Sequence, residues 1–289
     1  MSVSIDKSKG IVWLNGEFIP WQAAKIHVIT HGLHYASCVF EGSRAYNGTV
    51  FKMREHNERL LKSGEMLDIH IPYSVDELDE ITVELLKRNS LTNAYVRPLA
   101  WCGSDCIGVS SRTCSVNTAI AAWEWPSYFS PEALNEGIKI CLADWIRPDP
   151  RTAPVHAKAS CLYAIATLNK NKAEKNGFDD ALMLDWRGYV AECTGANIFF
   201  IIDGKIHTPI PDCFLNGITR QTIIQLAKEM AYEVIERFIE YKEIAQATEV
   251  FITGTAAEVT PVGQIVENNY QVGDITRKLR VAYLELVGK

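Results

Sequence analysis

Apolar and polar residues follow two kinds of pattern along the chain, and the clearer one predicts helices. In "SVDELDEITVELLKRN" apolar residues recur at helical spacing, and Ser74 with Glu77 forms a capping box at the start of the segment. The preceding segment, "REHNERLLKSGEML", is also predicted to be a helix.

Strand-like residues flank two Asn-Gly pairs in the same half of the chain, in "IVWLNGEFIP" and "RAYNGTVFKM". Because Asn-Gly suits the type I′ turn, each segment is predicted to be a tight hairpin. The segments "AYVRPLAW" and "VNTAIAAW" also have the composition of strands, and we expect them to complete this unit.

The second half of the chain mixes helices and strands. Together with the first half, this order predicts an α+β protein of two domains and not a doubly wound sheet. The predicted parts are a small N-terminal domain at 1–123, an ordered connection at 124–136 and a larger domain at 137–289. The larger domain should contain a helix that carries Lys158, strands at 180–185 and 189–207, a helix at 219–231, the strand "EVFIT" and a terminal helix "DITRKLRVAYLELV".

Composition narrows the class of partner. The chain has 289 residues, a net charge of −6 and no basic block, which argues against nucleic acid or an anionic membrane and favours a small-molecule substrate. Neither a signal peptide nor an apolar run of membrane-spanning length is evident, so we expect a cytoplasmic protein.

The cysteines and histidines do not suggest a metal site. Eight cysteines are scattered without a C-x-x-C pair, and we expect them to be buried, reduced thiols. His31 and His34 have a spacing that suits a metal, but no second ligand pair lies nearby in sequence. No metal is expected.

One lysine, Lys158, lies among small and apolar neighbours in "TAPVHAKASCLYAIATL". If this segment packs, the ammonium loses hydration, which favours the neutral amine. A neutral lysine amine attacks aldehydes, so Lys158 is a candidate Schiff-base residue. The alternative is a lysine at the start of a helix that extends into water, and this stretch alone leaves both possibilities open.

Three further features are weak when taken singly. Glu192 lies at a strand end, where it is either a solvated carboxylate or the partner of a pyridine nitrogen. Gly217 precedes an amphipathic helix whose first N–H groups and Thr219 hydroxyl suit a phosphate. The strand "FIT" ends in a Thr-Gly-Thr-Ala-Ala turn whose amides suit an anion.

The order of these motifs is more specific than any one of them. "KASCLY", "AECTGANIFF", "GITR" and "TGTAAEVTPV" follow "HGLHYASCVFEGSRAY" and "REHNERL". This order resembles the fold type IV pyridoxal-phosphate aminotransferases, and within them the branched-chain amino acid aminotransferases. The resemblance runs from about Trp13 to Thr276.

The resemblance implies pyridoxal 5′-phosphate as cofactor. Lys158 would bind its aldehyde and then move a proton, Glu192 would hold the ring nitrogen, and Tyr163 would donate to the phenolic oxygen. Cys193, beside Glu192, replaces a small residue, and we expect it to shift the ring placement slightly. Arg54 is expected at the surface. The phosphate would be bound by Arg59, Ile218, Thr219 and Thr255.

It also implies one pocket for two kinds of substrate. Tyr95 with the amides of Thr255 and Ala256 would bind the α-carboxylate, and Arg97 the side-chain carboxylate of glutamate. The apolar side chains would contact Phe40, Trp125, Tyr128 and Tyr163, with Tyr35 and Val109 from a second subunit of a homodimer or a larger assembly.

The implied reaction is transamination of L-leucine, L-isoleucine and L-valine with 2-oxoglutarate, giving branched-chain 2-oxo acids and L-glutamate. D-amino acid aminotransferases carry an Arg-x-His pattern that is absent at "IGVSS". Aminodeoxychorismate lyases generally lack the Phe-Glu-Gly and Tyr-x-Arg elements, which are present here at 40–42 and 95–97. A pyridoxal-binding scaffold without activity is the non-enzyme alternative.

Overall fold

The computed structural model of this chain describes residues 9–125 and 129–289. None of the helices in these ranges combines the length and the apolar character that a membrane span requires. The chain folds into two units, one made of residues 1–126 and 157–161 and the other of residues 127–156 and 162–289.

An antiparallel sheet of seven strands organises the first unit. The strands are β1 (Ile11–Leu14), β2 (Glu17–Pro20), β3 (Cys38–Phe40), β4 (Ser43–Tyr46), β5 (Thr49–Val50), β6 (Ala94–Cys102) and β7 (Val116–Glu124). Their order is β2-β1-β7-β6-β4-β5, and β3 pairs with β6. Both predicted hairpins are confirmed, because the Asn-Gly pairs between β1 and β2 and between β4 and β5 have positive φ angles at both residues.

Helices cover this sheet. They are α1 (His31–His34), α2 (Met53–Met66) and α3 (Val75–Arg88), with a 3₁₀ turn at Trp21–Ala23. The predicted capping box is confirmed, since the Ser74 hydroxyl accepts from the Glu77 N–H and the Glu77 carboxylate accepts from the Ser74 N–H. Leu60 of α2 and Leu78 and Leu85 of α3 are fully buried in the core of this unit.

A mixed sheet of nine strands organises the second unit. The strands are β8 (Ile138–Leu142), β9 (Asp180–Leu184), β10 (Val190–Cys193), β11 (Asn197–Ile202), β12 (Lys205–Pro209), β13 (Val234–Arg237), β14 (Glu249–Gly254), β15 (Glu258–Ile265) and β16 (Asn268–Asn269). Their order is β10-β9-β8-β15-β14-β11-β12-β13, with β16 on β15. The helices of this unit are α4 (Pro131–Glu136), α5 (Tyr163–Lys175), α6 (Ile218–Glu229) and α7 (Asp274–Leu286), with a 3₁₀ helix at Tyr241–Gln246.

The prediction that Lys158 lies in a helix is wrong. It lies before α5, in an extended segment where Ala159 bridges Val39. The Lys158 N–H donates to Ser63 Oγ at 2.9 Å, and its carbonyl accepts from the Phe40 N–H at 3.1 Å. These partners take the backbone groups that a helix would use, so the segment belongs to the first unit although it falls within the range predicted for the second domain. The predicted domain bounds stay a prediction.

The expectation that all cysteines are buried and reduced is also wrong. Cys106 and Cys114 form a disulfide with a Cα–Cα distance of 5.2 Å, and Cys161 is exposed. The disulfide joins the two ends of one loop. The spacing of the two cysteines in the sequence does not show that they are in contact. The buried free cysteines are Cys102, Cys193 and Cys213.

Candidate active site

Lys158 places its amine over an aromatic ring of the first unit. Its Nζ lies 4.8 Å from the centroid of the Phe40 ring. Ala157 and Ala159 on either side are buried, and the Lys158 backbone is held at both its N–H and its carbonyl. The side chain therefore extends from a fixed backbone in the small and apolar surroundings that the sequence predicted.

Arg59 is held by a fully buried carboxylate that sequence reasoning did not identify. Arg59 Nε donates to Glu41 Oε1 at 2.6 Å, and Nη2 donates to Oε2 at 2.9 Å. His56 Nδ1 lies 2.7 Å from the same Oε2. His56 and Arg59 are three residues apart on α2 and so face the same side of the helix. Glu41 fixes the direction of the predicted phosphate arginine.

The charges in this network follow from its contacts. Burial alone would raise the pKa of the Glu41 carboxyl, but the Arg59 charge and the bonds from His56 and Arg59 outweigh it and hold that pKa well below its usual range. Burial lowers the pKa of His56, against the opposing effect of Glu41. The network therefore contains an ionised carboxylate, a guanidinium and a neutral imidazole.

Arg54, on the same helix, has a different environment. Its side chain is 57% exposed, and Nη1 lies 2.6 Å from Asp76 Oδ1. The expectation that Arg54 is a surface residue is confirmed.

Tyr95 and Arg97 are two residues apart on β6 and project from the same face of the strand. Arg97 Nη2 donates to the Tyr95 hydroxyl at 3.1 Å. The Arg97 guanidinium carbon lies 4.9 Å from the centroid of the Phe40 ring. Arg97 Nε is buried and has no hydrogen-bond partner among the residues that the structure describes. A charged group with free donor capacity thus lies among aromatic rings.

The predicted aromatic residue Trp125 belongs to the same group. Its ring lies 5.1 Å from that of Tyr95, and the ring of Trp123 lies 5.3 Å from Tyr95 on the same strand pair. Trp123 was not identified from the sequence, although it is two residues before Trp125 on β7. Tyr128 lies outside the described residues.

Gly42, the last residue of the Phe-Glu-Gly element, lies so close to Tyr95 that no larger residue fits there. A Cβ at this position would lie 1.8 Å from the Tyr95 hydroxyl oxygen. Only glycine lets the Tyr95 hydroxyl approach the backbone this closely. The element therefore supplies a ring near Lys158, a carboxylate for Arg59 and space for Tyr95.

Tyr35 and Val109 lie on segments that are linked to each other. Their side chains are 44% and 83% exposed. The ring of Tyr35 lies 4.6 Å from that of His31, whose Nε2 donates to the carbonyl of Gly108 at 2.9 Å. The two predicted contacts to a second subunit are thus joined through one buried histidine.

In the second unit, Glu192 lies on β10 beside a buried arginine. Arg147 Nε is 3.5 Å from Glu192 Oε1, and the Asn197 amide donates to Oε2 at 3.4 Å. Arg147 is itself only 5% exposed and donates to the carbonyl of Cys213. A guanidinium at this distance favours the ionised carboxylate. Neither Arg147 nor Asn197 was identified from the sequence.

The turn after Glu192 is held in place by hydrogen bonds to Asp180. Thr194 Oγ1 donates to Asp180 Oδ1 at 2.6 Å, and the Thr194 N–H donates to the same oxygen. Cys193, the residue that departs from the pattern, is fully buried in the core of this unit, and burial raises the pKa of its thiol well above the usual value. Its side chain is therefore a neutral packing group.

The glycine before α6 is required by a close approach. A Cβ on Gly217 would lie 2.3 Å from Asn197 Oδ1, the atom that accepts from the Gly217 N–H. Ile218 and Thr219 begin α6 with buried side chains, and the first N–H groups of a helix have no intrahelical partner. Asn197 thus connects Glu192 to this helix start, which suits an anion.

The remaining predicted residues lie in two places of the second unit. Thr255 and Ala256 form the turn between β14 and β15, and Gly254 before them approaches the carbonyl of Gly195. Tyr163 is the first residue of α5. The Thr255 turn is therefore close to the turn that follows Glu192.

Comparisons with known proteins agree with this arrangement. The family model described as amino-transferase class IV matches residues 38–265. The probable branched-chain-amino-acid aminotransferase of Rickettsia felis is 46% identical over 261 residues, which cover 90% of this chain and 89% of that protein. The branched-chain-amino-acid aminotransferase of Pseudomonas aeruginosa is 41% identical, and the alignment covers 99% of this chain and 95% of that protein.

Solved structures give the same result for the fold. The crystal structure of Escherichia coli branched-chain amino acid aminotransferase has a TM-score of 0.94 and 37% identity, covering 97% of this chain and 95% of that one. The branched-chain amino acid aminotransferase of Thermobaculum terrenum in its PLP-form has a TM-score of 0.89 and 32% identity, covering 96% of this chain and 94% of that one. The predicted α+β, fold type IV class is confirmed, and the chain belongs to the class IV aminotransferase family.

Proposed function

We propose that this class IV aminotransferase exchanges the amino group of L-leucine, L-isoleucine or L-valine with 2-oxoglutarate, giving branched-chain 2-oxo acids and L-glutamate. One observation carries the proposal: the guanidinium of Arg97 lies among the aromatic rings of Phe40 and Tyr95, and its buried Nε has no hydrogen-bond partner in the described part of the chain. Such a site accepts an apolar side chain and a carboxylate in turn. The names of the relatives from Rickettsia felis and Pseudomonas aeruginosa support branched-chain amino acids as substrates.

Class IV aminotransferases depend on pyridoxal phosphate. When it is bound, this cofactor supplies an electron-withdrawing ring that stabilises negative charge on the substrate. The residues present fit such a group. They include a lysine amine over an aromatic ring, an arginine-paired carboxylate, and a glycine-preceded helix start at which a Cβ would clash with Asn197.

Lys158 and Glu192 carry the proton chemistry in this proposal. Lys158 Nζ would hold the cofactor at its aldehyde, and as a free amine it would take and return a proton at the substrate α-carbon. The Glu192 carboxylate holds a proton on the pyridine nitrogen. Arg147 and Asn197 orient that carboxylate and favour its charge.

Arg59 and the start of α6 bind the phosphate. Two nitrogens of Arg59 are already bonded to Glu41, so the orientation of the guanidinium is fixed before any ligand binds. The helix start contributes backbone N–H groups and the Thr219 hydroxyl. Thr255, in the turn after β14, adds its hydroxyl.

Substrate carboxylates are recognised by two sets of groups. Tyr95 and the amides of Thr255 and Ala256 bind the α-carboxylate that all substrates share. Arg97 binds the second carboxylate of glutamate. When leucine is bound instead, the Tyr95 hydroxyl and the faces of the Phe40 and Tyr95 rings remain as partners for the guanidinium. This limits the cost of burying Arg97 beside an apolar side chain.

Arg97→Met should therefore separate the two substrates. We expect the glutamate half-reaction to lose about 2–5 kcal/mol of transition-state stabilisation, by analogy with breaking a buried charge pair, and the leucine half-reaction to lose far less. Single-turnover rates of the pyridoxal form with each amino acid measure both losses.

Arg54→Met is the matched control, because Arg54 is an exposed arginine of the same unit. It should leave both half-reactions unchanged. Equal losses for glutamate and leucine in Arg97→Met would assign Arg97 to the shared α-carboxylate, and activity with D-amino acids only would overturn the proposed substrates.

We further propose a homodimer that exchanges Tyr35 and Val109 between subunits. Exposed apolar side chains support this, since Leu33, Tyr35, Ile107 and Val109 are all exposed on the two segments that His31 joins. An apolar patch of this kind is favourably covered by a second copy of the same surface.

Leu33→Asp combined with Ile107→Asp should dissociate the dimer and reduce activity, because two charges would be buried in the interface. Sedimentation velocity at assay concentration measures the change. Val83→Asp is the control, since Val83 is exposed elsewhere in the same unit and should leave the dimer intact. A fully active monomer of the unchanged protein would rule out shared sites.

A cytoplasmic location completes the proposal. Six of the eight cysteines are free, which is typical of proteins from a reducing compartment.

A further inference from the structure

The loop between β6 and β7 is closed on itself by covalent and polar contacts. The disulfide between Cys106 and Cys114 spans eight positions and encloses Val109. At the base of the loop, the Asp105 carboxylate accepts from both the N–H and the hydroxyl of Ser115. Among the described residues of this loop, the disulfide is the one covalent cross-link. The segment that it encloses contains the exposed Val109.

His31 connects this loop to α1. Its N–H donates to the carbonyl of Gly103 at 2.8 Å, and its Nε2 donates to the carbonyl of Gly108 at 2.9 Å. Since a carbonyl only accepts, Nε2 carries a proton, and Nδ1 lies 2.9 Å from the Ser37 hydroxyl oxygen. The Tyr35 ring packs on the His31 ring. His31 thus contacts both the loop and Tyr35.

We propose that Cys106 and Cys114 are a reversible thiol–disulfide pair that sets the position of Val109 and Tyr35 and thereby tunes recognition of the apolar side chain. This inference rests on the proposed function, because it uses Tyr35 and Val109 as substrate contacts. The two cysteines are half-buried, and Ser110, Arg112 and Thr113 between them are exposed and are not among the four side chains proposed for the subunit interface, so a small thiol has access to the bond.

The exchange is balanced with a dithiol as reductant. One thiolate of the dithiol attacks a sulfur of the disulfide, the S–S bond breaks, and the second thiolate resolves the mixed disulfide. Cys106 and Cys114 gain two electrons and two protons, and the dithiol becomes a disulfide. The reverse step uses a low-molecular-weight disulfide, which is reduced to two thiols.

Reduction should loosen the loop without unfolding the unit. It removes the covalent cross-link and leaves two contacts: His31 still binds the carbonyl of Gly108, a residue with a φ of +115°, and Asp105 still binds Ser115 at the base of the loop. The segment around Val109 then regains conformations that the closed ring excludes. Because none of the predicted cofactor residues belongs to this loop, we expect cofactor binding to be unaffected.

A metal site is the competing use of the same atoms. One ring nitrogen of His31 and the sulfurs of Cys106 and Cys114 lie within 4.8 Å of one another. Both nitrogens of His31 already have protein partners, however, so a metal would have to displace Gly108 or Ser37. The geometry therefore favours the thiol pair.

The test uses the holoenzyme after incubation with dithiothreitol or with oxidised glutathione. Peptide mapping without reduction should find Cys106 linked to Cys114 only in the oxidised sample. The KM for leucine should rise at least threefold on reduction, while the visible band of the cofactor stays the same. The double variant Cys106→Ser with Cys114→Ser should have the higher KM and no response to either reagent. Cys141→Ser, a change in a free cysteine of β8, should respond as the unchanged protein does.

A second measurement does not depend on the substrate. Arg112 is exposed between the two cysteines, and we expect trypsin to cut after it faster in the reduced sample and in the double serine variant. If the proposed substrates are wrong, this difference remains while leucine is inert. If leucine is a substrate but neither KM nor cleavage responds to redox state, the inference is wrong. Stoichiometric zinc in the reduced protein, lost on His31→Ala, would replace it with a metal site.

Discussion

Replacement of Lys158 by alanine should abolish turnover and prevent covalent attachment of the cofactor. Alanine has no amine to bind the aldehyde and no group to move the proton at the substrate α-carbon, so two functions are lost together. General acid–base catalysis alone contributes about 10²–10⁴-fold, and the covalent step adds to this. Stability should change little, because the neighbouring backbone is held through Ser63 and Phe40 by main-chain groups that alanine retains.

Steady-state assays and borohydride reduction measure these losses. In the unchanged protein, reduction followed by peptide mapping should place the pyridoxyl group on Lys158. Lys172→Ala is the control, since Lys172 is a half-exposed lysine on α5 that pairs with Asp144 and should leave turnover and labelling intact. A pyridoxyl group found on another lysine would refute the assignment of Lys158.

Glu192→Gln should bind the cofactor and lose most of its rate. Glutamine has the size of glutamate but no charge, and it cannot hold the pyridine nitrogen in its protonated form. Removal of one preorganised electrostatic group typically costs about 10²–10³-fold in rate. The loss should be in kcat more than in KM, because Glu192 acts on the cofactor ring and not on the substrate. The amide also leaves the charge of Arg147 without its carboxylate.

Single-turnover kinetics, together with cofactor titration, separate the loss of rate from a loss of binding. Glu174→Gln on α5 is the control, with a side chain that is 60% exposed. Asn197→Ala should lose less than Glu192→Gln, since it removes a bond that orients the carboxylate and leaves the charge in place. Unchanged turnover in Glu192→Gln would mean that another group holds the ring nitrogen.

Features that depend on neighbouring residues could be predicted from the sequence. The Asn-Gly hairpins are set by the two residues in each turn, and the capping box of α3 is set by Ser74 and Glu77. The start of α6 belongs to the same class, because it is a local event, whereas the glycine before it is required by the distant residue Asn197.

Features that join distant parts of the chain could not be predicted in this way. The conformation at Lys158 depends on pairing with the strand that contains Val39, which no local pattern encodes. The carboxylate that holds Arg59 is on another element, and the quoted motifs contain Glu41 and His56 without indicating that they meet. Arg147 approaches Glu192 across the fold of the second unit. Each of these partners becomes visible only when the tertiary structure brings it into contact.

The position of the segment 157–161 limits how this gene can be recombined. The short stretch that carries Lys158 is encoded within the second half of the chain but is held by strand and helix residues of the first half. A chimaera that joined the first half of one homologue to the second half of another would bring the lysine of one parent onto the support of the other. Crossover points near residue 126 should therefore yield active proteins only when the parents share the Phe40 and Ser63 contacts, so that the two halves are inherited as one functional block.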